Sequence, residues 1–191
     1  MIERTESGLY CRAADAWVDP WKPVPRALIT HAHADHARPG CGEYWAIDSS
    51  EAVLRQRLGQ SINLHSVQYR EEFWLGQCKV SFHSAGHVLG SAQIRLESDG
   101  NVWVVSGDYK RDHDPSCAPF ETVACDVLIT EATFGLPIYR WSSGAEVAKS
   151  IRDWWQADRS RPTLLFCYAF GKAQRLLAEL KAIGVDEEVL L

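Results

Sequence analysis

One stretch, residues 28–40, LITHAHADHARPG, constrains this chain more than any other. Leu28, Ile29 and Thr30 have the character of the end of a buried strand, and four residues of metal-binding chemistry follow at once: His31, His33, Asp35 and His36. In extended backbone, residues two apart project to the same side, so the imidazoles of His31 and His33 can converge on one point. Once the chain turns, Asp35 and His36 can face a second point about 3.5–4 Å away, the separation found in two-metal hydrolase sites. The bland alternative is a loop of surface histidines. Ala32, Ala34 and Ala37 argue against it, because small residues between ligands let the backbone pack closely, whereas a solvated loop would favour Ser, Lys or Glu.

Further ligands are expected downstream. Residues 78–97, CKVSFHSAGHVLGSAQIRLE, alternate as two strands around a turn in which Gly86 and Gly90 bracket His87. His87 is the expected third imidazole on the first point, with His83 as its competitor. Ser98-Asp99-Gly100-Asn101 reads as a hairpin turn, and Val102 to Val105 as a buried strand that delivers Asp108 at its carboxyl end. A carboxylate there can bridge two cations, one oxygen to each. Asp19, at the end of an earlier strand and shortly before the His cluster, reads by itself as a turn-capping residue. His65 and His113 have no partner at ligand spacing and read as structural or loop residues.

The chain has 191 residues, 46% of them hydrophobic, enough for a sizeable core in one domain or one domain and part of another. No apolar run approaches the roughly 18 residues that span a bilayer, and the N-terminal stretch lacks a signal peptide's apolar core, so a cytoplasmic location and no membrane association are expected. The six cysteines lack a CxxC pair or disulfide-like spacing and read as free thiols, none of them metal ligands. A net charge of −5 argues mildly against a general nucleic-acid coat. Two bound divalent cations would nearly cancel it and make the local field positive, so a phosphodiester substrate remains compatible.

The pattern His31, His33, Asp35, His36 resembles the signature of the metallo-β-lactamase fold, a superfamily of mostly dinuclear metal hydrolases. Gly-His87-Val-Leu-Gly-Ser, Gly-Asp108-Tyr and DVLITEATFG around Glu131 narrow this to the β-CASP branch, which processes nucleic acid; Glu131 stands where the first β-CASP motif places an acidic residue. ITEATFGLPIYRW and YAFGKAQRLLAEL are similar to the bacterial ligase-associated DNA exonucleases, often labelled mRNA 3′-end processing factors. The resemblance implies an α/β fold, the N-terminal part of an αββα sandwich over residues 1–139, with the start of a β-CASP-type insertion over 140–191. It implies two divalent ions, zinc with manganese as the alternative, held by His31, His33 and His87 on one side, Asp35 and His36 on the other, and Asp108 between. Asp35 and Glu131 would assist catalysis, and Asp19, with Asp15 as the weaker candidate, would steady the His-rich loop as a carboxylate behind it. The implied partners are nucleic acid, DNA in preference to RNA, and an ATP-dependent DNA ligase and helicase system. An RNA-processing nuclease, or a small-molecule metallo-hydrolase acting on a thioester or lactam, is the alternative.

Beyond Glu131 the texture changes. Ser143 and Glu146 form a capping box, followed by a helical stripe of Val147, Ile151, Trp154 and Trp155 that reads as core. Thr163 to Tyr168 reads as a short strand, and a helix from Lys172 to about Ile183 buries Leu176, Leu177 and Leu180; Lys172 and Arg175 could hold phosphate near its start. GVDEEVLL reads as a loop and the opening of another strand, cut before the further histidines of the family, which predicts exposed apolar surface.

Overall fold

The structure, a computed structural model, describes residues 1–186 and 189. The chain divides into two compact units, Met1–His113 with Cys117–Glu131, and Asp114–Ser116 with Ala132–Leu191.

The first unit holds two sheets. In one, β1 (Ile2–Thr5), β2 (Gly8–Cys11), β3 (Ala16–Val18), β4 (Arg26–Leu28), β5 (Glu43–Ile47) and β6 (Leu64–Val67) lie side by side in chain order. Tight turns make the first three antiparallel, whereas β3 to β6 run parallel. Parallel neighbours require crossovers. The β4–β5 crossover carries the His-rich stretch, and the β5–β6 crossover carries α1 (Glu51–Leu58). The second sheet is a meander of β7 (Glu72–Leu75), β8 (Cys78–Ser84), β9 (Ala92–Ser98) and β10 (Asn101–Val105), to which β11 (Val127–Ile129) adds in parallel beside β10. The β9–β10 turn has Asp99 at φ 52° and Gly100 at φ 72°, the left-handed pair that a two-residue hairpin needs.

Alternation along the strands sends Cys11, Val18, Leu28, Ile47 and Val67 of the first sheet against Leu75, Val80, Phe82, Ile94, Leu96 and Val105 of the second in one continuous core. This is the sheet-on-sheet part of the αββα architecture. The chain ends that matter for chemistry gather at one rim: Asp19 follows β3, the His stretch follows β4, His87 lies between β8 and β9, Asp108 follows β10 and Glu131 follows β11. Carboxyl ends of strands are where open α/β sheets place their sites.

The second unit packs α2 (Gly144–Ala157) on α3 (Lys172–Ala182) through Ala148, Leu180 and Val185, with Ile151, Trp155, Leu176 and Ile183 around them. The Ser143–Glu146 capping box forms as expected, Ser143 Oγ accepting from Glu146 N at 3.2 Å and Glu146 Oε2 from Ser143 N at 2.8 Å.

Three local expectations are corrected. His31 to His33 lie in bent loop backbone, not extended strand, ahead of the turn at residues 34–36. Residues 163–168 form no strand, because no neighbouring strand among the described residues takes up their backbone, and Leu164 and Phe166 are exposed. Trp154 and Val147 face outward, since the stripe actually buried on α2 runs through Ala148, Ile151 and Trp155. The strand expected in GVDEEVLL falls partly on residues outside the described set. No helix among the described residues is long and apolar enough to cross a membrane.

Candidate metal centre

Four side chains from three loops of the first unit bring one ligand atom each to a common place. Those of His31, His33, His87 and Asp108 all lie within 4.8 Å of one another. His33 Nδ1 is 2.9 Å from His31 Nε2 and 3.3 Å from His87 Nε2. Asp108 Oδ2 is 3.9 Å from His31 Nε2 and 3.7 Å from His87 Nε2. Its other oxygen, Oδ1, faces a second group: it is 3.4 Å from His36 Nε2, which is itself 3.7 Å from Asp35 Oδ2. The two oxygens of one carboxylate thus point to two ligand sets, three imidazoles on one side and Asp35 with His36 on the other.

Local folding explains the convergence. His36 N and Ala37 N both donate to His33 O, at 3.1 and 2.8 Å, so the chain coils into a turn from His33 onward and carries Asp35 and His36 round it. Ala32 and Ala37 are buried beneath it. His87 is presented by a loop whose amides at His87 and Val88 donate to Ser91 Oγ, at 3.0 and 3.1 Å. Gly86 and Gly90 adopt φ 69° and 71° there, and a Cβ on Gly90 would lie 2.5 Å from that of Ser50. Glycine supplies both the backbone conformation and the room.

Behind the imidazoles lies Asp19, held at φ 44°. Its Oδ1 accepts from Thr30 N at 2.8 Å; its Oδ2 accepts from Thr30 Oγ1 at 2.6 Å and from His36 Nδ1 at 2.7 Å. A carboxylate behind a ligand histidine fixes the ring and leaves its other nitrogen to face the centre. Asp15 instead accepts from the Tyr10 hydroxyl at 2.8 Å in the β2–β3 turn.

Electrostatics follow from this packing. Burial depresses the His31 pKa well below the usual value, and the neighbouring imidazoles of His36, His87 and His33 add to the effect. Burial likewise lowers His87, against the opposing pull of Asp108. For His36, burial pulls downward, but the carboxylates of Asp108 and Asp19 outweigh it and raise the pKa to about 10. Asp108 is lowered to about 2, first by its hydrogen bond to His36 and despite burial.

The donor set fits a metal. Imidazole nitrogens bearing lone pairs repel at about 3 Å unless a proton or a cation lies between them, and nitrogen with carboxylate oxygen suits zinc, or manganese as the harder alternative.

Of the remaining candidates, the other three histidines are turned to other partners or to solvent. His83 is turned to Ser81 Oγ at 3.1 Å and to Glu121 Oε1 at 3.0 Å, which Arg70 also reaches. His65 stacks on Trp45 with ring centroids 4.2 Å apart and meets Glu43 Oε2 at 3.1 Å. His113 is exposed. Glu131 is half-buried, its amide donates to Ser106 Oγ at 3.4 Å, and its charge is felt at His87. In the second unit, Lys172 lies over the Tyr168 ring at 5.1 Å, and Arg175 Nε sits 3.6 Å from Asp114 Oδ2 and 3.8 Å from Glu179 Oε1, so a phosphate at Arg175 would compete with two carboxylates.

Two residues escaped the sequence reading. Thr30 passed as an ordinary strand-end residue, yet its hydroxyl lies among Asp19, His31 and His36. Gly107, at φ 56°, lets the Asp108 loop lie against Thr30, since a Cβ there would fall 2.6 Å from Thr30 Oγ1. The signal for Gly107 was its place between a strand and an acidic ligand; Thr30 offered none beyond adjacency to His31.

No family model matches the chain. It is 33% identical over 179 residues to a probable DNA ligase of Opitutus terrae, a match covering 91% of this chain and 17% of that protein. It is 32% identical over 118 residues to cleavage and polyadenylation specificity factor subunit 3 of Dictyostelium discoideum, covering 60% of this chain and 15% of that one. An RNase J-like protein of Methanocaldococcus jannaschii is 26% identical over 187 residues, covering 82% of this chain and 43% of its own length. The chain therefore spans less than half the length of each of these curated relatives, 43% at most.

Proposed function

Because the chain belongs to the metallo-β-lactamase/β-CASP nucleases, we propose that it contributes the metal centre of a metal-dependent phosphodiesterase acting on nucleic acid. One observation carries the reading: Asp108 turns one oxygen toward His31 and His87 and the other toward His36. His31, His33, His87 and Asp108 would hold one cation, and Asp35, His36 and Asp108 a second. Such ions supply Lewis-acid stabilisation of phosphoryl charge and lower the pKa of water to around 7.

The chain's own groups do the rest. Asp19 holds the Nδ1 proton of His36 and so turns Nε2 toward the centre. Asp35, with a side chain 75% exposed, is the carboxylate best placed to accept a proton from an attacking water at the open face. Glu131 helps position the leaving-group side of the site, and Lys172 is available for phosphate.

DNA is the favoured substrate and exonucleolytic repair next to a DNA ligase the favoured setting, supported by the match to a probable DNA ligase along nearly the whole chain. RNA processing is the second reading, supported by the matches to the polyadenylation factor subunit and the RNase J-like protein. Metal analysis of the purified protein, followed by assays on labelled single- and double-stranded DNA and RNA, tests both. We expect two zinc or manganese ions per chain, loss of metal and of any cleavage in Asp108→Ala, and faster cleavage of DNA. Full metal content in Asp108→Ala would overturn the site assignment, and preference for a thioester or lactam the substrate assignment.

A further inference from the structure

Thr30 is buried at the floor of the centre, only 1% exposed. Its main chain is anchored on both sides, with Thr30 O accepting from Ala92 N at 2.7 Å and Thr30 N donating to Asp19 Oδ1 at 2.8 Å. An ionised carboxylate can only accept hydrogen bonds, so the 2.6 Å contact from Thr30 Oγ1 to Asp19 Oδ2 takes up the hydroxyl's one proton. The hydroxyl oxygen is then left purely as an acceptor. Facing it at 3.1 Å is His31 Nδ1, with His36 Nδ1 at 3.4 Å and closer to Asp19.

A neutral imidazole that donates through Nδ1 has a bare Nε2. In His31 that Nε2 is the atom 2.9 Å from His33 Nδ1 and 3.9 Å from Asp108 Oδ2. We propose that Thr30 is a positioning residue through which one carboxylate, Asp19, orients two imidazoles, His36 directly and His31 by way of the Thr30 hydroxyl. Gly107 keeps the hydroxyl in place, because any larger side chain there would displace it. The inference rests on the metal-centre reading above.

Two measurements test it. The first is the nitrogen chemical shifts of the imidazoles in the metal-free protein near neutral pH. His31 should carry its proton on Nδ1 in the parent and in Thr30→Ser, and should shift toward the Nε2 form in Thr30→Val. The second is zinc affinity by chelator competition: Thr30→Val should bind about 10–100-fold more weakly, and Thr30→Ser within about threefold of the parent, the range expected for groups that orient ligands. Thermal unfolding of the metal-free variants checks that packing is preserved.

An Nε2 proton on His31 in the parent protein would overturn the proposal. So would unchanged zinc affinity in Thr30→Val, or equal losses in the Ser and Val variants, which would mark a packing effect. A parent chain that bound no zinc would remove the metal-centre reading instead, and the metal-free tautomer would still decide the role of Thr30.

Discussion

His36 sits between two carboxylates, Asp19 at 2.7 Å and Asp108 at 3.4 Å, and its pKa of about 10 means that the metal-free protein holds it as a cation at neutral pH. Asp108, at about 2, is the matching anion. The linkage has a definite sign at each end. His36 is raised above its unfolded value of 6.5, so its contribution is complete below that pH and disappears as pH rises through 10. Asp108 is depressed from 3.8, so its contribution is complete above that pH and disappears as pH falls through 2. Burial lowers His31 and His87, so below pH 6.5 the unfolded chain takes up protons there that the folded chain refuses, and stability falls on that side too. Urea midpoints of the metal-free protein should therefore peak near about pH 6.5 and fall on both sides, and His36→Gln should flatten the alkaline limb. An alkaline limb unchanged by that substitution would place the stabilising charge elsewhere.

The candidate ligands themselves were legible as chemistry, because histidine and aspartate at short spacing are rare in strands and loops alike. What spacing could not reveal was how they meet. The turn that unites His33 and His36 is made by backbone bonds to His33 O, and the hydroxyl of Thr30 acquires its role only when Asp19, eleven positions earlier, folds beside it.

At the level of elements, success and failure divide by whether the deciding interactions are local. The Ser143–Glu146 box was readable because both of its bonds close within four residues. The β9–β10 hairpin was readable because Asp99 and Gly100 set the turn. Residues 163–168 carry strand-like composition, but a strand needs a neighbour, and partner availability is not a property of the segment. The same distinction predicts how glycines respond to substitution. Gly100 and Gly107 share the left-handed region, at φ 72° and 56°, but a Cβ on Gly100 meets nothing within 4 Å, whereas one on Gly107 meets Thr30 at 2.6 Å. Gly100→Ala should cost only the backbone penalty, roughly 1–2 kcal/mol. Gly107→Ala should add an overpacking cost of about 1–3 kcal/mol and displace Asp108, weakening metal binding. Equal losses in denaturant unfolding would show that backbone conformation alone makes glycine necessary at 107.

Across the whole molecule, the two units differ in how much apolar surface they enclose. The first buries a continuous core contributed by both sheets, and Val80, Phe82, Ile94 and Leu96 are completely shielded. The second encloses Ala148, Leu180 and Val185 between two helices, while Phe134, Ile138, Trp141, Trp154, Leu164 and Phe166 remain exposed. Helices of 14 and 11 residues are marginal on their own and depend on packing for stability. A small helical pair with little enclosed surface opens more readily than a large sandwich. Amides in α2 and α3 should accordingly exchange with solvent deuterium through local opening, with protection at least about tenfold below that of β8, β9 and β10, a difference of ~1.4 kcal/mol. Zinc should raise protection around His31, His87 and Asp108 without raising it in α2. Protection in α2 and α3 equal to that of the central strands would mean that the two units unfold as one, and that the exposed apolar residues of the second do not weaken it.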